Sequence, residues 1–406
     1  MTSNWLRAAL LSLVAALSPA AAAEAQTLVL KGASVYASPE ANPIADAVIV
    51  TMAGAIAAVG RASEVQIPQD ARVIDCTGRT VVAGFWNSHV HFTEAPWKGA
   101  ASAPAAPLTA HMQKMLTQWG FTTVWDLGSN PADLLPLRQR IRAGEVLGPN
   151  IFFAGSIFPK DGHPIYLPPE MQLPEAATPE RATQLARTYM QMGLDGVKLF
   201  TGSYKGEDAP VVNMDAAIAK AAVDVAHAAG KPVFAHPQNT AGIDAMIAAG
   251  VDVMAHAVTR QTGYTAEQLA NFKQQNIALI PTFSVFAKLP VPASVGARII
   301  DNVVAQLKGF ADNGGSVLFG TDVGFIQFYD TTLEYELMHR ALTERQVLAS
   351  LTTNPAAYFK VAKKGKIEQG FDADLVILDG DPITDVRNLA RVATTIRAGQ
   401  VIYQKP

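Results

Sequence analysis

The chain lacks the features that mark several common classes of protein. Cys76 is the only cysteine among 406 residues, which excludes a disulfide within the chain, so we expect this thiol to pack as a small apolar group. Only 17% of the residues are charged and the formal net charge is −3. This leaves no basic excess to bind nucleic-acid phosphates or anionic lipid, and we expect no nucleic-acid partner. The 49% of hydrophobic residues indicate instead a globular protein with a large core.

The first 25 residues differ from the rest of the chain. Arg7 precedes an apolar run at 8–17, and the small residues that follow end in an A-x-A sequence at 23–25. These features are typical of a secretory signal, and the run is shorter than the roughly 20 residues of a membrane span. The alternatives are a buried N-terminal helix or a membrane anchor. We predict a signal peptide at 1–25, export to the periplasm, and no membrane attachment after cleavage.

The hydrophobic pattern of the remaining chain divides it into two kinds of region. Short apolar runs separated by Gly, Pro and Asp occupy 26–80 and return at 363–406, which is typical of strands and turns. Between them, apolar runs of about five residues alternate with longer amphipathic stretches, the pattern of repeated βα units. Eight such runs lie at 81–86, 121–126, 151–155, 196–200, 232–235, 251–255, 278–281 and 316–320. We predict a (β/α)8 TIM barrel at 81–362, beside a small β-sandwich domain built from both chain ends.

Polar side chains interrupt or end several of the predicted barrel strands. His89 and His91 follow the first run, and an H-x-H pair on extended backbone turns both imidazoles to the same side. Four other runs contain or precede one polar residue each: Lys198, His236, His256 and Asp322. A TIM barrel collects its catalytic groups at the carboxyl ends of its strands, and imidazoles and carboxylates are metal ligands. The pattern therefore predicts a metal site at one rim of the barrel.

Each of these residues has a simpler interpretation when it is taken alone. Lys198 lies in the apolar run at 196–200, where it must be desolvated, paired or chemically modified, unless it extends along the strand edge to water. The histidines and the aspartate could be hydrogen-bonded residues of the core. Their joint position at strand ends favours the metal site. By contrast, His111, His227 and His339 fall on predicted helices, and we expect structural or surface roles for them.

The motifs resemble those of the amidohydrolase superfamily over nearly the whole chain after residue 25. The segment VAGFWNSHVH at 82–91 resembles the opening P-G-x-I-D-x-H-x-H pattern, with Ala83 and Asn87 where proline and aspartate are usual. Three further blocks are similar to later parts of the pattern: GFTTVWD at 120–126, TNPA at 353–356 and GFDADL at 370–375. The block GLDGVKLF at 193–200 resembles the imidazolonepropionase-like and Xaa-Pro dipeptidase-like members.

The resemblance implies a site for two divalent metal ions, expected to be Zn²⁺. One ion would be held by His89, His91 and Asp322, the other by His236 and His256, and a bridge between them would come from Lys198 as a carbamate formed with carbon dioxide. Two such cations lower the pKa of a shared water from about 15.7 toward about 7. The bridging hydroxide would attack the substrate, while the Asp322 carboxylate takes the proton and passes it to the leaving nitrogen.

The predicted function is hydrolysis of an amide-type C–N bond in a dipeptide or N-acyl amino acid. A hydrolase of a cyclic amide or imidazolone ring is the alternative. A deaminase is disfavoured, because deaminases of the superfamily usually carry Glu three residues after the fifth-strand histidine, where this chain has Asn239. A non-enzymatic binding protein is disfavoured because no ligand position is lost.

Three further residues are candidates for binding the substrate. His163 lies in the loop after the third predicted strand, Tyr204 follows the fourth, and Arg260 follows the sixth. Arg260, with Lys205 as a weaker candidate, could pair with a substrate carboxylate. The expected partner is a small molecule or a dipeptide, and association into a homo-oligomer stays open.

Overall fold

A computed structural model of the protein describes residues 27–167, 173–259 and 261–406. The predicted signal peptide and Arg260 lie outside the described residues. Within these ranges, no helix combines the length and the apolar character that crossing a membrane requires.

The secondary structure alternates strands and helices between two strand-rich ends. The strands are β1 Leu28–Val35, β2 Ile44–Met52, β3 Ala55–Arg61, β4 Arg72–Asp75, β5 Thr80–Ala83, β6 Phe85–Val90, β7 Phe121–Asp126, β8 Asn150–Pro159, β9 Glu175–Ala176, β10 Gly196–Leu199, β11 Gly202–Ser203, β12 Val212–Asn213, β13 Val233–Ala235, β14 Val253–Met254, β15 Ala278–Leu279, β16 Leu375–Leu378, β17 Val392–Arg397 and β18 Gln400–Gln404. The helices are α1 Ala105–Met115, α2 Pro131–Arg142, α3 Pro179–Gln191, α4 Ala216–Ala228, α5 Thr240–Ala249, α6 Ala266–Gln274, α7 Phe283–Ala287, α8 Ala293–Asp312, α9 Thr332–His339, α10 Glu344–Leu351 and α11 Thr353–Tyr358. Short 3₁₀ turns lie at Ala95–Trp97, Thr117–Trp119 and Val386–Ala390.

Strands from both chain ends pair in one sheet. Its order is β18-β17-β16-β5-β1-β2-β3, and β4 pairs with β1 beside β5. The two ends meet where β5 and β16 run antiparallel, with Ala83 opposite Leu375. Apolar side chains from both ends, among them Leu30, Ile49 and Ile377, form one buried cluster. The pairing of the two ends is therefore as expected, whereas their division into a two-layered sandwich stays a prediction.

A second sheet consists of parallel strands and curls into a barrel. Its order is β15-β14-β13-β10-β8-β7-β6, with β9 beside β8. The segment 316–323 bridges both outer strands, because Val317 pairs with Leu279 and Val323 pairs with Val90. This segment, which we call the closing segment, takes the place of an eighth strand. The fold is therefore an α/β barrel. Parallel strands joined by helices on the outer face are the expected result of repeated βα units.

The first predicted barrel run, 81–86, contains parts of two different strands. Thr80–Ala83 belongs to the sheet of the chain ends, and the barrel begins only with Phe85–Val90. The change occurs at Gly84, whose amide donates a hydrogen bond to Asp374. A Cβ at this position would lie 2.3 Å from Thr122 Oγ1, so only glycine lets the chain pass so close to β7. The predicted boundary at 81 is therefore wrong. Buried apolar residues lie on both sides of Gly84, so the hydrophobic pattern did not indicate the change of sheet.

Candidate metal centre

All six residues that were predicted as metal ligands lie at the carboxyl ends of barrel strands. His89 is on β6 and His91 directly follows that strand. The other four are placed by neighbouring elements: Lys198 on β10, His236 directly after β13, His256 shortly after β14 and Asp322 in the closing segment. Parallel strands of a barrel end at the same rim, so residues far apart in sequence converge there.

The Asp322 carboxylate lies among three imidazoles. Its Oδ1 is 2.9 Å from His91 Nε2 and 3.3 Å from His89 Nε2, and its Oδ2 is 3.7 Å from His256 Nε2. The His236 ring lies next to that of His256, with 4.7 Å between the two centroids. One ligand atom from each of His89, His256 and Asp322 lies within 4.8 Å of the other two, close enough to hold a metal ion.

Burial favours the neutral form of three imidazoles in this cluster, those of His89, His236 and His256. It lowers the pKa of His89 and of His256 well below the usual range, and it lowers the pKa of His236 to about 3. The neighbouring positive charge of Lys198 shifts all three pKa values in the same direction. A neutral imidazole presents one nitrogen lone pair, which is the form that binds a metal.

Lys198 is buried beside the imidazoles, with 1% of its surface exposed. This burial excludes the alternative of a lysine that extends along the strand edge to water. Burial lowers the pKa of Lys198 to about 7, although the charge of Asp322 opposes the shift. A substantial fraction of the side chain is therefore an uncharged amine at neutral pH.

The residues present fit a divalent metal ion. Among the described residues, Asp322 Oδ1 is a buried oxygen without a hydrogen-bond donor, which is costly in a folded protein unless another group satisfies it. Asp322 also has a φ of 59°, a conformation that non-glycine residues rarely adopt and that recurs at functional sites. Imidazole nitrogens with a carboxylate oxygen are a donor set that suits zinc.

Two contacts fix the chain at His91 and at the residue that follows it. The Asp126 carboxylate accepts hydrogen bonds from the amides of Phe92 and Ser129, at 3.0 and 2.8 Å, and so anchors the residue that follows His91. Gly324 has a φ of 96°, and a Cβ there would lie 1.7 Å from the carbonyl oxygen of His91. Only glycine is possible at this position, and it brings the turn that follows Asp322 directly against His91.

Thr282 is a site residue that sequence reasoning missed. Its Oγ1 lies 2.6 Å from Nδ1 of His256. It directly follows the predicted strand run at 278–281, so the rule that identified the other strand-end residues would also have identified this one.

Two of the predicted substrate-binding residues, His163 and Tyr204, lie in loops that contact each other. His163 Nε2 is 3.1 Å from the carbonyl of Leu167 in its own loop, and Lys205 donates to the His163 carbonyl at 2.8 Å. The carbonyl of Tyr204 accepts a hydrogen bond from the amide of Ile165. These contacts join the loops after β8 and β10, while the roles of His163, Tyr204 and Arg260 in substrate binding stay predictions.

The three histidines on predicted helices lie outside the cluster, as expected. Each is within 4.0 Å of a carboxylate of its own: His111 of Glu94, His227 of Asp252 and His339 of Glu344.

Exposed apolar side chains lie next to the cluster. Ile165, Tyr166 and Phe325 are 61%, 38% and 37% exposed, and the rings of Tyr166 and Phe325 meet edge to face at 5.4 Å. Phe325 belongs to the turn made by Asp322, because its amide donates to the Asp322 carbonyl at 3.2 Å. Burial of the Tyr166 hydroxyl, together with the charge of Asp322, raises the pKa of that phenol. We call Ile165, Tyr166 and Phe325 the apolar rim.

Comparison with known proteins gives the same family as the motifs. Residues 80–402 match the amidohydrolase family. An imidazolonepropionase of Thermoplasma acidophilum is 34% identical over 101 residues, which are 23% of this chain and 25% of the relative, so the match spans about a quarter of that protein. Among solved structures, a candidate prolidase from Bifidobacterium longum superposes with a TM-score of 0.78 at 25% identity, covering 94% of this chain and 95% of that one.

A Xaa-Pro dipeptidase with bound methionine also has a TM-score of 0.78, at 22% identity, and covers 94% of this chain and 100% of its own. At this identity the likeness concerns the fold alone. The family match over most of the chain confirms the assignment made from the motifs: the protein belongs to the amidohydrolase family.

Proposed function

We propose that the protein hydrolyses an amide-type C–N bond in a small substrate, a dipeptide or an N-acyl amino acid, at a centre of two divalent metal ions. The observation that carries this proposal is the convergence of four imidazoles, one carboxylate and one desolvated lysine at the carboxyl rim of the barrel. The likeness to a candidate prolidase at 25% identity supports it.

Each of the six residues has a proposed role in holding the ions, which we expect to be Zn²⁺. His89, His91 and Asp322 would bind one ion, His236 and His256 the other, and Lys198 would bridge the two as a carbamate. The uncharged amine that results from a pKa of about 7 supports this modification. Its nitrogen forms a bond to the carbon of carbon dioxide and releases a proton, which converts the neutral amine into an anionic ligand.

When bound, such ions supply a water of lowered pKa and polarise the scissile carbonyl. Asp322 is the residue that accepts the proton of the attacking water, because its carboxylate lies in the middle of the ligand set. The same oxygen then returns the proton to the leaving nitrogen. Asp322 and the neighbouring His89 and His256 are buried, which limits the access of bulk water to this transfer.

The apolar rim indicates the character of the substrate. Tyr166 and Phe325 form an exposed aromatic wall next to Asp322, which is suited to an apolar side chain or acyl group on the substrate. We therefore propose amides with an apolar substituent as the preferred class. Opening of a cyclic amide or imidazolone is the second candidate, supported by the sequence match to imidazolonepropionase. Export to the periplasm stays a proposal from the sequence.

A substrate panel tests this function. Full-length protein would be loaded with Zn²⁺ and bicarbonate and offered Xaa-Pro dipeptides, N-acyl amino acids with apolar acyl groups, and cyclic amides including an imidazolone. We expect turnover of linear amides that a chelator abolishes and Zn²⁺ restores. The Asp322→Asn variant, purified in parallel, controls for contaminating peptidases. Turnover of cyclic substrates alone would favour the second candidate, and activity unaffected by metal removal would reject both.

A further inference from the structure

The contact between Thr282 and His256 bears on which nitrogen of the imidazole carries the proton. The Thr282 hydroxyl also lies 2.8 Å from the carbonyl of Pro281, which can only accept. A hydroxyl has one hydrogen; when Thr282 donates it to this carbonyl, the 2.6 Å contact with His256 Nδ1 is made by the imidazole donating to the hydroxyl. In this arrangement His256 carries its proton at Nδ1, and the lone pair of Nε2 faces Asp322.

Thr282 occupies this position at a cost in backbone energy. Its φ is 50°, and a β-branched residue in the left-handed region is a conformational outlier. Such a conformation is unfavourable and persists only where the surrounding structure holds it.

Glu334 provides the contacts that hold Thr282 in place. It lies on α9 and is completely buried. Its Oε1 accepts the amide of Phe283 at 2.8 Å and its Oε2 accepts the amide of Ser284 at 2.6 Å. These are the two peptide groups that directly follow Thr282, at the start of α7, so both carboxylate oxygens fix the chain at the strained residue.

A purely packing role does not account for this carboxylate. Burial of an acidic group is costly, and an apolar residue of similar size is usually tolerated better when only packing matters. Within the described parts of the chain, Glu334 takes part in none of the ion pairs, and its hydrogen-bond donors come from the Thr282 turn. What the carboxylate specifically provides is the geometry of that turn.

We propose that Thr282 and Glu334 are positioning residues for the metal centre. Thr282 fixes the tautomer and the orientation of the His256 imidazole, and Glu334 acts through Thr282 by holding its backbone. The proposal rests on the proposed function only in so far as the metal is concerned, because the tautomer of His256 exists without it.

Four variants of the full-length protein test the proposal. Thr282→Val removes the hydroxyl with little change of shape, Thr282→Ser retains it, and Glu334→Gln retains an acceptor for only one of the two amides. Thr395→Val is the matched control, since Thr395 is a buried threonine on β17, in the sheet of the chain ends, and its hydroxyl donates to the Thr117 carbonyl. Two quantities are measured: the affinity for Zn²⁺ by competition with a chelator, and the His256 tautomer by ¹⁵N NMR of the metal-free protein, assigned with His256→Gln.

We expect Thr282→Val to lower the Zn²⁺ affinity about 10–100-fold, as is usual when the partner of a ligating histidine is lost. Thr282→Ser should restore the affinity, Glu334→Gln should lower it by a smaller factor, and Thr395→Val should leave it unchanged. In the NMR spectra, the wild type should carry the His256 proton at Nδ1, and Thr282→Val should show both tautomers.

Equal affinity and an equal tautomer in Thr282→Val and Thr395→Val would overturn the proposal. If the wild type binds no Zn²⁺, the proposed function fails, and the NMR comparison alone decides the role of Thr282. If Thr282→Val does not fold, Thr282→Ser and Glu334→Gln still decide: wild-type affinity and tautomer in Glu334→Gln would remove Glu334 from the account.

Discussion

Asn87 Nδ2 donates a hydrogen bond of 2.8 Å to Thr321 Oγ1, although 234 residues separate the two in sequence. The Asn87 Oδ1 accepts the amides of His89 and Thr321, both at 3.2 Å. One buried side chain thus ties the strand that carries the first histidines to the segment that carries Asp322. It closes the barrel at the point where the candidate metal centre lies.

Replacing Asn87 with leucine should therefore reduce stability. The amides of His89 and Thr321 would be left buried without an acceptor, and we expect the free energy of unfolding to fall by about 2–4 kcal/mol. Asn87→Asp should cost much less, because a carboxylate oxygen still accepts both amides and the Thr321 hydroxyl can turn to donate to the other oxygen. Urea denaturation of the two variants measures the difference. Equal losses would show that the amide contacts do not matter for closure.

Asp322→Asn tests the proposed proton transfer. An amide cannot accept the proton of the attacking water, so we expect kcat to fall about 10²–10⁴-fold with a smaller change in KM. Because Asp322 is also a proposed ligand, the metal content of the variant must be measured alongside its kinetics. Loss of activity with the metal content retained supports the proton-transfer role, whereas a variant with wild-type kcat would refute it.

Phe325→Ala tests the substrate class that the apolar rim indicates. For a substrate with a large apolar group, we expect kcat/KM to fall about 10-fold, which is the effect of losing the contacts of one or two methylene groups. For a glycine analogue of that substrate, kcat/KM should stay nearly constant. Met192→Ala is the control, since Met192 is similarly exposed, at 41%, but precedes β10 and so lies at the opposite end of the barrel. An equal effect on both substrates would remove Phe325 from specificity.

Cys76 should be unreactive in the folded protein. It is completely buried, and burial raises the pKa of its thiol to about 11 from a usual value of 9.0. At pH 8 the thiolate fraction is then about 100-fold lower than that of an ordinary cysteine, and the alkylation rate should rise as the pH approaches 11. Iodoacetamide labelling followed by mass spectrometry, with the urea-unfolded chain as control, measures this. Equal native and unfolded rates would place Cys76 outside the core.

The sequence predicted which of the site residues converge at one rim because strand ends follow a simple rule. Parallel strands end at a common rim, so His236 or Asp322 could be located from the last residue of an apolar run without knowledge of the helices between. Thr282 follows the same rule, but a threonine after a strand has no chemical signature of its own. Its role emerges only from the contact with His256 and from a backbone angle that sequence does not reveal.

Features that depend on tertiary contacts were harder to predict. The change of sheet at Gly84 occurs between two runs that are equally apolar, and only the approach to Thr122 shows why glycine is needed there. The closing segment is held by two isolated bridges, at Val317 and Val323, because the turn at Asp322 interrupts a regular strand. Glu334 is an acidic residue that is completely buried on a helix, and the hydrophobic pattern of the surrounding sequence did not predict this burial.

The central claim is that two divalent ions are held by the cluster and bridged by Lys198. It is tested most directly by metal analysis of the purified protein, loaded with Zn²⁺ with and without bicarbonate, beside a Lys198→Met variant. The account predicts two ions per chain for the wild type with bicarbonate, fewer without it, and at most one for Lys198→Met in either condition. Wild-type protein that retains no stoichiometric metal, or a Lys198→Met variant that still binds two ions, would contradict it.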